Sequence, residues 1–374
     1  MIYYVGYYAD AQNKQNRNAV LSATNKMRYI MDAIEAIGES FLAVSCAVTK
    51  NKKGCAGCRE KITDKSYCKY FKSFGRKNII TKLLDIVVLN LQVFLFLLFN
   101  VKKDDTLLVY HAASYCKMIP LVKKLKKCKV ILEVEEIYAD VQNNASLRKK
   151  EEYIFSNADA FILATPLLNE KVNPQRKPYT VIYGTYMVER DRGSRFNDDK
   201  THVLYAGTFE RRKGGTVAVA AAEHLDEKYH VHVLGFGNEE EKTFLLNEIE
   251  RVKKLTTCEI TFDGCLSGEG YIQFIQKCHV GLSPQNPDAE YNTTSFPSKI
   301  LSYLSNGLRV VSIRIPAIEA SAVSDHITFY DIQTPQAIAE AIKSIDINEQ
   351  YDSRKHIQKL SDQFQRELKL ILER

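Results

Sequence analysis

The most informative segment of the sequence is FPSKILSYLSNGLRVVS, residues 296–312. Its apolar residues recur at helical spacing, which predicts a helix with Ser295 as its cap and Pro297 in its first turn, where a missing N–H costs nothing. Gly307 predicts the end of this helix, and a valine-rich strand follows. Lys299 is therefore expected in the first turn of a helix that leads into a buried strand.

The same alternation of strands and helices runs along both halves of the chain. Strand-like segments occupy residues 2–8, 105–111 and 128–136 in the first half, and they restart with residues 202–209. Strands that alternate with helical patterns are typical of βαβ units and parallel sheets. The predicted fold class is α/β, with two Rossmann-like doubly wound domains facing a cleft.

The domain boundaries follow from length and from one polar stretch. A chain of 374 residues exceeds what a single core usually supports, and the charged residues 186–200 are typical of a linker. We expect an N-terminal domain over residues 1–185, a C-terminal domain over 201–345, and a terminal helical segment, 346–374, that could cross back to the N-terminal domain. Ligands of parallel sheets bind beyond the carboxyl ends of the strands, so function is expected in the loops there.

The composition, with 45% hydrophobic and 26% charged residues, is that of a soluble globular protein. The first residues run directly into a strand without a secretory signal, and nine cysteines are an odd number, so free thiols in a cytoplasmic protein are expected. Cys55, Cys58 and Cys68 fall short of a four-ligand zinc site, and no metal is predicted. The segment GFGNEE, residues 235–240, lacks the third glycine of a dinucleotide fingerprint, which disfavours an NAD-dependent oxidoreductase.

The positive charge is concentrated in one segment. Residues 50–82 contain eleven Lys or Arg against Glu60 and Asp64, so their net charge exceeds the +7 of the whole chain. Nucleic-acid binding by the whole protein is therefore not expected, but a local basic face is. The apolar run at residues 83–101 follows directly. We favour a buried helix of an α/β domain there; the alternative is that residues 50–101 sit against an anionic membrane surface, on the inner face of the cell membrane.

A second stretch, YAGTFERRKGG at residues 205–215, predicts an anion site. A strand ends near Gly207 and Thr208, a loop carries three basic residues, and two glycines open an Ala-rich helix. Backbone N–H groups at a helix start and basic side chains both bind anions, and a diphosphate suits them. A solvated basic loop is the alternative. The predicted donor-binding residues in the two stretches are Gly207, Thr208, Arg211, Arg212, Lys213, Ser295, Pro297, Ser298, Lys299 and Ser302.

These two stretches, in this order and spacing, resemble the retaining glycosyltransferases of the GT-B fold, of the family-4 type. The similarity extends over most of residues 202–345, and the N-terminal half is similar in layout to members that assemble capsule, O-antigen or exopolysaccharide. The resemblance implies a nucleotide-diphospho-sugar in the C-terminal domain and a saccharide or lipid-linked acceptor in the N-terminal domain. It also implies that no cofactor and no metal are needed, because basic side chains and helix N-termini neutralise the diphosphate.

The sequence departs from the family pattern at three positions. Lys213 matches a family lysine, but the family arginine five residues earlier is replaced by Thr208, for which Arg211 or Arg212 could substitute. The two glutamates of the family E-x7-E pattern are replaced by Thr294 and Ser302. The second glutamate normally binds ribose hydroxyls, and a serine offers one such hydrogen bond without the charge.

Candidate catalytic residues lie at the carboxyl ends of N-terminal strands. Carboxylates at the end of a buried strand are costly unless they face a cleft, so Glu135 or Glu136 could orient or deprotonate an acceptor hydroxyl. Ion pairing with the lysines of residues 123–129 is the alternative. His111 ends another strand and could act similarly or be structural. Asn16 and Arg17, in the first loop, could contact the acceptor.

The expected function is transfer of a hexose from a nucleotide-diphospho-sugar with retention of configuration. Two alternatives remain open. One is a non-catalytic nucleotide-sugar-binding scaffold subunit, which the missing carboxylates favour. The other is a GT-B nucleotide-sugar epimerase, which would need acid–base groups that only Glu135 and Glu136 obviously supply.

Overall fold

The computed structural model describes residues 1–10, 15–193, 195–288 and 294–373. The chain divides into two compact units. The first comprises Met1–Ile182 with Asp362–Arg374, and the second comprises Tyr183–Ser361. Each unit has an α/β architecture built on a largely parallel sheet, which confirms the predicted fold class.

The first unit is built on an eight-stranded sheet. Its strands, numbered along the chain, are β1 (Ile2–Gly6), β2 (Phe41–Ser45), β3 (Cys58–Lys61), β4 (Tyr67–Tyr70), β5 (Thr106–Tyr110), β6 (Lys129–Val134), β7 (Ala160–Leu163) and β8 (Tyr179–Val181). They are ordered β3-β4-β2-β1-β5-β6-β7-β8, and every neighbouring pair is parallel except β3 and β4. The central strands are buried apolar runs, as strands covered on both faces should be.

Helices connect these strands. They are α1 (Leu21–Ala36), α2 (Ile79–Asn100), α3 (Met118–Lys126), α4 (Tyr138–Gln142), α5 (Ala145–Asn157) and α6 (Leu167–Val172). The C-terminal helix α13 (Ser353–Glu373) belongs to this unit from Asp362 onward. Its last turns are fixed there by two hydrogen bonds: Thr180 Oγ1 donates to Glu367 Oε2 at 2.6 Å, and Lys129 Nζ donates to the Leu372 carbonyl at 3.1 Å.

The basic segment at residues 50–82 forms the hairpin of β3 and β4, which the sequence did not predict. β4 pairs in parallel with β2 and so extends the sheet. The hairpin lacks a strong apolar alternation, with Cys58 and Glu60 facing Tyr70 and Cys68 across the pair. Its strand character comes from this pairing with an existing sheet edge, a tertiary effect that overrides local propensity.

Helix α2 corrects the prediction of a buried helix over residues 83–101. It is anchored at Asp85, which accepts hydrogen bonds from Ser73 Oγ at 2.6 Å and from the Phe74 backbone N–H at 2.7 Å. Only one stripe is buried. By length and composition it is the one helix among the described residues that could cross a membrane, and 22% of its most apolar window is buried. Its exposed apolar side chains are Ile79, Ile80, Leu83, Leu84, Ile86, Val87, Leu91, Leu95 and Phe99.

The second unit contains a six-stranded parallel sheet. Its strands are β9 (Thr201–Thr208), β10 (Tyr229–Phe236), β11 (Glu259–Gly264), β12 (Val280–Ser283), β13 (Arg309–Ile313) and β14 (Ile327–Tyr330), ordered β11-β10-β9-β12-β13-β14. Its helices are α7 (Gly215–Ala220), α8 (Glu239–Val252), α9 (Gly268–Ile275), α10 (Ser298–Ser305), α11 (Pro316–Glu319) and α12 (Pro335–Lys343). The strand order reverses direction beside β9 and β12, where a doubly wound sheet binds its ligands.

Helix α10 is the helix predicted from residues 296–312. It ends at Ser305, and Gly307 follows with φ of 84°, as the predicted stop requires. Its start differs from the prediction, because Pro297 is the N-cap residue itself and no side chain caps the helix among the described residues. Ser295 is therefore not the cap. In the part of the chain that the structure describes, the N–H groups of the first turn have no side-chain cap.

Candidate functional site

The carboxyl end of β9 is held in a tight arrangement with the loop after β12. Gly214 has φ of 80°, and a side chain there would place Cβ only 1.7 Å from the Pro284 carbonyl oxygen, so glycine is required. Tyr205 Oη donates to the Thr208 carbonyl at 2.7 Å. The predicted diphosphate loop, which contains Gly207 and Thr208, therefore lies at the edge of the sheet where ligands are expected.

The three basic residues of this loop have different environments. Arg211 lies over the Phe244 ring, with its guanidinium carbon 4.5 Å from the ring centroid, and it therefore faces α8. Arg212 pairs with Glu210, with Nε 2.5 Å from Oε2. These contacts argue against either arginine replacing the family arginine at Thr208. Lys213 is the basic residue of the loop that influences Lys299 electrostatically.

Lys299 is the most unusual cation of the second unit. Its ammonium nitrogen is shielded from solvent and has no hydrogen-bond partner among the described residues, although the side chain as a whole is only partly buried. The nitrogen lies 4.2 Å from the centroid of the Tyr205 ring, and a Cβ at Gly207 would lie 3.0 Å from it. Burial, and then repulsion from Lys213, lower the pKa of Lys299 to about 7. A buried ammonium without a carboxylate is costly unless an anion completes the site.

Gln285 offers a second unpaired donor at the same sheet edge. Its side-chain oxygen accepts from Ser283 Oγ at 2.9 Å, while its amide nitrogen is buried without a partner among the described residues. Gln285 was not among the residues predicted from the sequence. Its position two residues beyond the end of β12 was the available signal, since that is where parallel sheets place ligand-binding groups. Unsatisfied buried donors are rare and point to a missing acceptor.

Helix α10 is fixed against the sheet by a buried tyrosine. The Ala206 backbone N–H donates to Tyr303 Oη at 3.0 Å, and Gly281 leaves room for the ring, because a Cβ there would lie 2.4 Å from it. This packing positions the uncapped start of α10, with Ser298 and Lys299, beside the end of β9. Lys299 and the N–H groups of the helix start can bind an anion, and Gln285 offers a further donor at the same edge of the sheet.

Two residues replace the glutamates of the family pattern. Ser302, one turn beyond Lys299 on α10, has its hydroxyl 3.2 Å from Tyr271 Oη, so the pair presents two hydroxyl groups. Tyr271 on α9 was not selected from the sequence, because only the fold brings it beside α10. Thr294 is buried. The described residues at these two positions therefore present hydroxyl groups and no carboxylate.

The carboxylates at the end of β6 form a buried cluster in the first unit. Glu135 pairs with Lys26 of α1, with Nζ 2.5 Å from Oε1, rather than with the lysines of residues 123–129. Glu133 is fully buried and accepts from Tyr4 Oη at 2.5 Å. Burial, followed by the neighbouring Glu135 carboxylate, raises the pKa of Glu133 to about 8. Glu135 and Glu136 are both partly exposed, so they remain able to meet a ligand.

His111 has the environment of a structural residue. It is 1% exposed, and its Nε2 lies 2.7 Å from Glu151 Oε1. Glu151 also accepts from the backbone N–H groups of Tyr138 and Ala139, at 2.9 and 2.8 Å. This network fixes the start of α4, and it does not support the catalytic role considered for His111.

The two residues predicted to bind the acceptor have different positions. Arg17 is 5% exposed, and its guanidinium donates to the Ala47 and Phe71 carbonyls, each at 2.8 Å, which argues against direct acceptor binding. Asn16 donates to Asn51 Oδ1 at 2.9 Å. Both residues border a cavity of about 380 Å³ beyond the end of β1, a size typical of ligand pockets. The other lining residues include Tyr8, Asp10, Thr24 and Arg28.

The sheet topology of each unit and the basic site at the end of β9 point to a class of protein, which comparisons with known proteins can test. Residues 200–346, which lie in the second unit, match the family model described as glycosyl transferases group 1. No curated protein sequence matches the chain.

Solved structures share the fold over the whole length. Sucrose-phosphate synthase from Thermosynechococcus elongatus is 13% identical with a TM-score of 0.71, and the alignment covers 100% of this chain and 98% of that one. The UDP-forming trehalose-phosphate synthase from Burkholderia xenovorans, in complex with glucose-6-phosphate, is 11% identical with a TM-score of 0.65 and coverages of 100% and 98%. The HepE protein from Anabaena, in complex with UDP, is 11% identical with a TM-score of 0.64 and coverages of 100% and 97%. The chain therefore has the GT-B fold, and together with the family model these findings support glycosyltransferase activity.

Proposed function

We propose that this protein is a retaining glycosyltransferase of the family-4 type that transfers a hexose from a nucleotide-diphospho-sugar. The observation that carries the proposal is the buried ammonium of Lys299 beside the carboxyl end of β9, which has no hydrogen-bond partner among the described residues and whose pKa is lowered by burial and by Lys213. A diphosphate bound beside Lys213 and Lys299 would offset their mutual repulsion and the cost of the buried charge.

In the proposed mechanism, the diphosphate accepts hydrogen bonds from Lys213, Lys299 and the first N–H groups of α10. The bond from the anomeric carbon to the diphosphate oxygen breaks, and the acceptor oxygen bonds to the same face of that carbon. The acceptor proton passes to the departing phosphate oxygen. Retention of configuration follows, and the lysines and helix N-terminus stabilise the leaving group without a metal ion.

The first unit supplies the proposed acceptor site. The cavity beside Asn16 and the partly exposed Glu135 and Glu136 lie beyond the carboxyl ends of β1 and β6. A saccharide or a lipid-linked saccharide is the proposed acceptor, in the assembly of capsule, O-antigen or exopolysaccharide. Glu135 is positioned by its ion pair with Lys26, and its carboxylate can accept a hydrogen bond from an acceptor hydroxyl.

A transfer assay with a panel of nucleotide sugars and lipid-linked acceptors tests the proposal. We expect one donor to be turned over, with product of retained anomeric configuration by NMR and without added Mg²⁺ or Mn²⁺. An inverted product would contradict the mechanism, and a strict requirement for added metal would contradict the neutralisation by lysines.

The alternative is a non-catalytic scaffold subunit that binds the nucleotide sugar. Thr294 and Ser302, in place of the family carboxylates, favour it. Tight binding of a donor without turnover of any member of the panel, with acceptor present, would support the scaffold and exclude the transferase.

We also propose that α2 attaches the protein to an anionic membrane surface. Its exposed apolar side chains, which include Leu83, Val87 and Leu91, line the helix outside the buried stripe of Leu89, Val93 and Leu97. Because that stripe packs into the core, the helix lies on the first unit and is suited to the interface rather than to a span. The flanking exposed lysines that would contact anionic headgroups are Lys72, Lys77, Lys82, Lys102 and Lys103.

Liposome co-sedimentation tests this attachment. We expect binding to vesicles of phosphatidylcholine with phosphatidylglycerol, loss of binding in Leu83→Glu/Val87→Glu, and weaker, salt-sensitive binding in Lys77→Glu/Lys82→Glu. Lys343→Glu, at an exposed lysine of α12, is the matched control. Lipid binding that survives both double substitutions would contradict the proposal.

A further inference from the structure

Three buried histidines lie together on one face of the second sheet. His202 is in β9, and His230 and His232 are in β10. His202 and His230 are direct cross-strand partners, and His232 lies two residues further along β10, so all three project from the same face. They belong to the first halves of their strands, away from the carboxyl ends where Gly207 and Lys299 form the donor site.

The three imidazoles are close enough to share one ligand. One ring nitrogen from each lies within 4.8 Å of those of the other two. His202 Nδ1 is 2.8 Å from His232 Nε2, and the rings of His230 and His232 are stacked with centroids 3.8 Å apart. Among the described residues, this is the group of histidine, cysteine and carboxylate side chains whose spacing suits a metal ion.

The outer nitrogens of two of these rings contact carboxylates. Asp198 Oδ1 is 2.7 Å from His202 Nε2, and Asp263 Oδ2 is 3.2 Å from His232 Nδ1. A carboxylate on the nitrogen opposite the ligating one is the usual second layer of a histidine metal site, where it fixes the tautomer and increases the basicity of the ligand.

The remaining ring is also set among polar groups. His230 Nε2 is 3.0 Å from Thr261 Oγ1, and its Nδ1 is 3.7 Å from Glu259 Oε2. Burial, and then the neighbouring His232, lower the pKa of His230 to about 4, and burial also lowers the pKa of His202. The neutral imidazole is the form that coordinates a metal.

We propose that His202, His230 and His232 form a binding site for one transition-metal cation, and specifically for Zn²⁺. Three neutral imidazoles suit Zn²⁺, with water or a carboxylate as the fourth ligand. The nearby Asp198, Glu259 and Asp263 balance the charge of the cation. The site is distinct from the donor site and has a structural role rather than a catalytic one.

The cluster is covered by the chain segment that precedes β9, which indicates what the metal would stabilise. The Phe196 ring stacks on His202 and His232, with centroids 4.1 and 4.9 Å away, and Asp198 belongs to the same segment. A metal held by His202 would therefore fix this segment, through Asp198 and Phe196, on the sheet. We expect the segment to be more protected from proteolysis and hydrogen exchange when the metal is bound.

The test uses the full chain, with any affinity tag removed and bound metal stripped by a chelator. Titration with Zn²⁺ alone, monitored by isothermal calorimetry, should show one ion bound per chain. Thermal unfolding should show a higher Tm with Zn²⁺ than without it. Co²⁺ should give the visible absorption bands of a tetrahedral site with nitrogen ligands. His230→Gln and His232→Gln should each weaken Zn²⁺ binding at least tenfold, whereas His224→Gln, at an exposed histidine outside the cluster, should bind as the unchanged protein does.

Two results would overturn the proposal. One is Zn²⁺ binding that is equal in the cluster variants and in the unchanged protein. The other is absence of stoichiometric Zn²⁺ binding and of tetrahedral Co²⁺ bands in the unchanged protein, a measurement that does not depend on whether the variants fold. Nucleotide binding is measured in parallel and should persist in the metal-free chain, so failure at the donor site and failure at this site are distinguishable.

Discussion

Replacing Lys299 with methionine should stabilise the ligand-free protein. Methionine has a similar length but removes the charge, so it removes the cost of burying an ammonium that has no hydrogen-bond partner among the described residues. The pKa of Lys299 falls from 10.5 to about 7 on folding, and at pH 7.5 the difference corresponds to a destabilisation of up to about 4 kcal/mol. Because the unfolded chain binds the proton more tightly, this cost is largest below pH 7 and disappears as the pH rises to 10.5.

The same substitution should weaken nucleotide binding. Removing one partner of a buried charged hydrogen bond costs about 2–5 kcal/mol. The Kd for UDP should therefore increase by a factor of between about 30 and several thousand. The anion should also restore the proton to Lys299. Binding of UDP at pH 8 is therefore expected to take up a proton in the unchanged protein and not in Lys299→Met.

Urea unfolding at pH 7.5 and 9.5, together with calorimetric titration of UDP in buffers of different ionisation enthalpy, measures both effects. Lys343→Met, at an exposed lysine of α12, is the matched control and should change neither quantity. Lower stability of Lys299→Met than of the unchanged protein would contradict the cost assigned to the Lys299 charge. A UDP affinity of Lys299→Met within threefold of that of the unchanged protein would contradict a contact between Lys299 and the diphosphate.

Three further substitutions test other parts of the structure. Lys213→Ala should lower the rate of glycosyl transfer by about 10²–10³-fold with an unchanged circular dichroism spectrum, because it removes a positive charge that stabilises the leaving diphosphate. Turnover within tenfold of normal would exclude this role for Lys213. Tyr271→Phe should weaken UDP binding about 3–10-fold in calorimetry if the hydroxyl pair with Ser302 binds ribose, and unchanged affinity would remove the pair from the site. Glu133→Gln should raise the free energy of unfolding by a few kcal/mol above pH 8. The raised pKa of Glu133 gives the unchanged protein stability that is present below pH 4.5 and is lost as the pH rises through 8. A gain in stability that is equal at pH 4 and pH 9 would contradict this assignment.

Sequence periodicity was sufficient for the α/β architecture and for the helix over residues 298–305. The apolar positions of α10 and the Gly307 stop depend only on local chemistry, so they could be predicted. The hairpin of β3 and β4 could not, because its pairing with β2 is decided by a distant strand. The exposure of α2 was also missed, since a long apolar run has the same pattern whether protein or lipid covers it.

Only part of the candidate site could be predicted from the sequence, because the rest depends on contacts between distant residues. Lys213 and Lys299 could be predicted from sequence motifs. The position of the Arg211 side chain could not, because it depends on contact with the Phe244 ring of another helix. The ion pair of Glu135 with Lys26 joins residues more than a hundred positions apart. Such contacts leave no periodic signal, and they decide which charged residues are left to meet a ligand.

The most direct measurement for the central claim is a crystal structure of the protein with a bound nucleoside diphosphate. We expect the diphosphate at the end of β9, with an oxygen within hydrogen-bond distance of Lys299 Nζ and another near Lys213. A nucleotide bound elsewhere, with the Lys299 ammonium still facing only the Tyr205 ring, would contradict it.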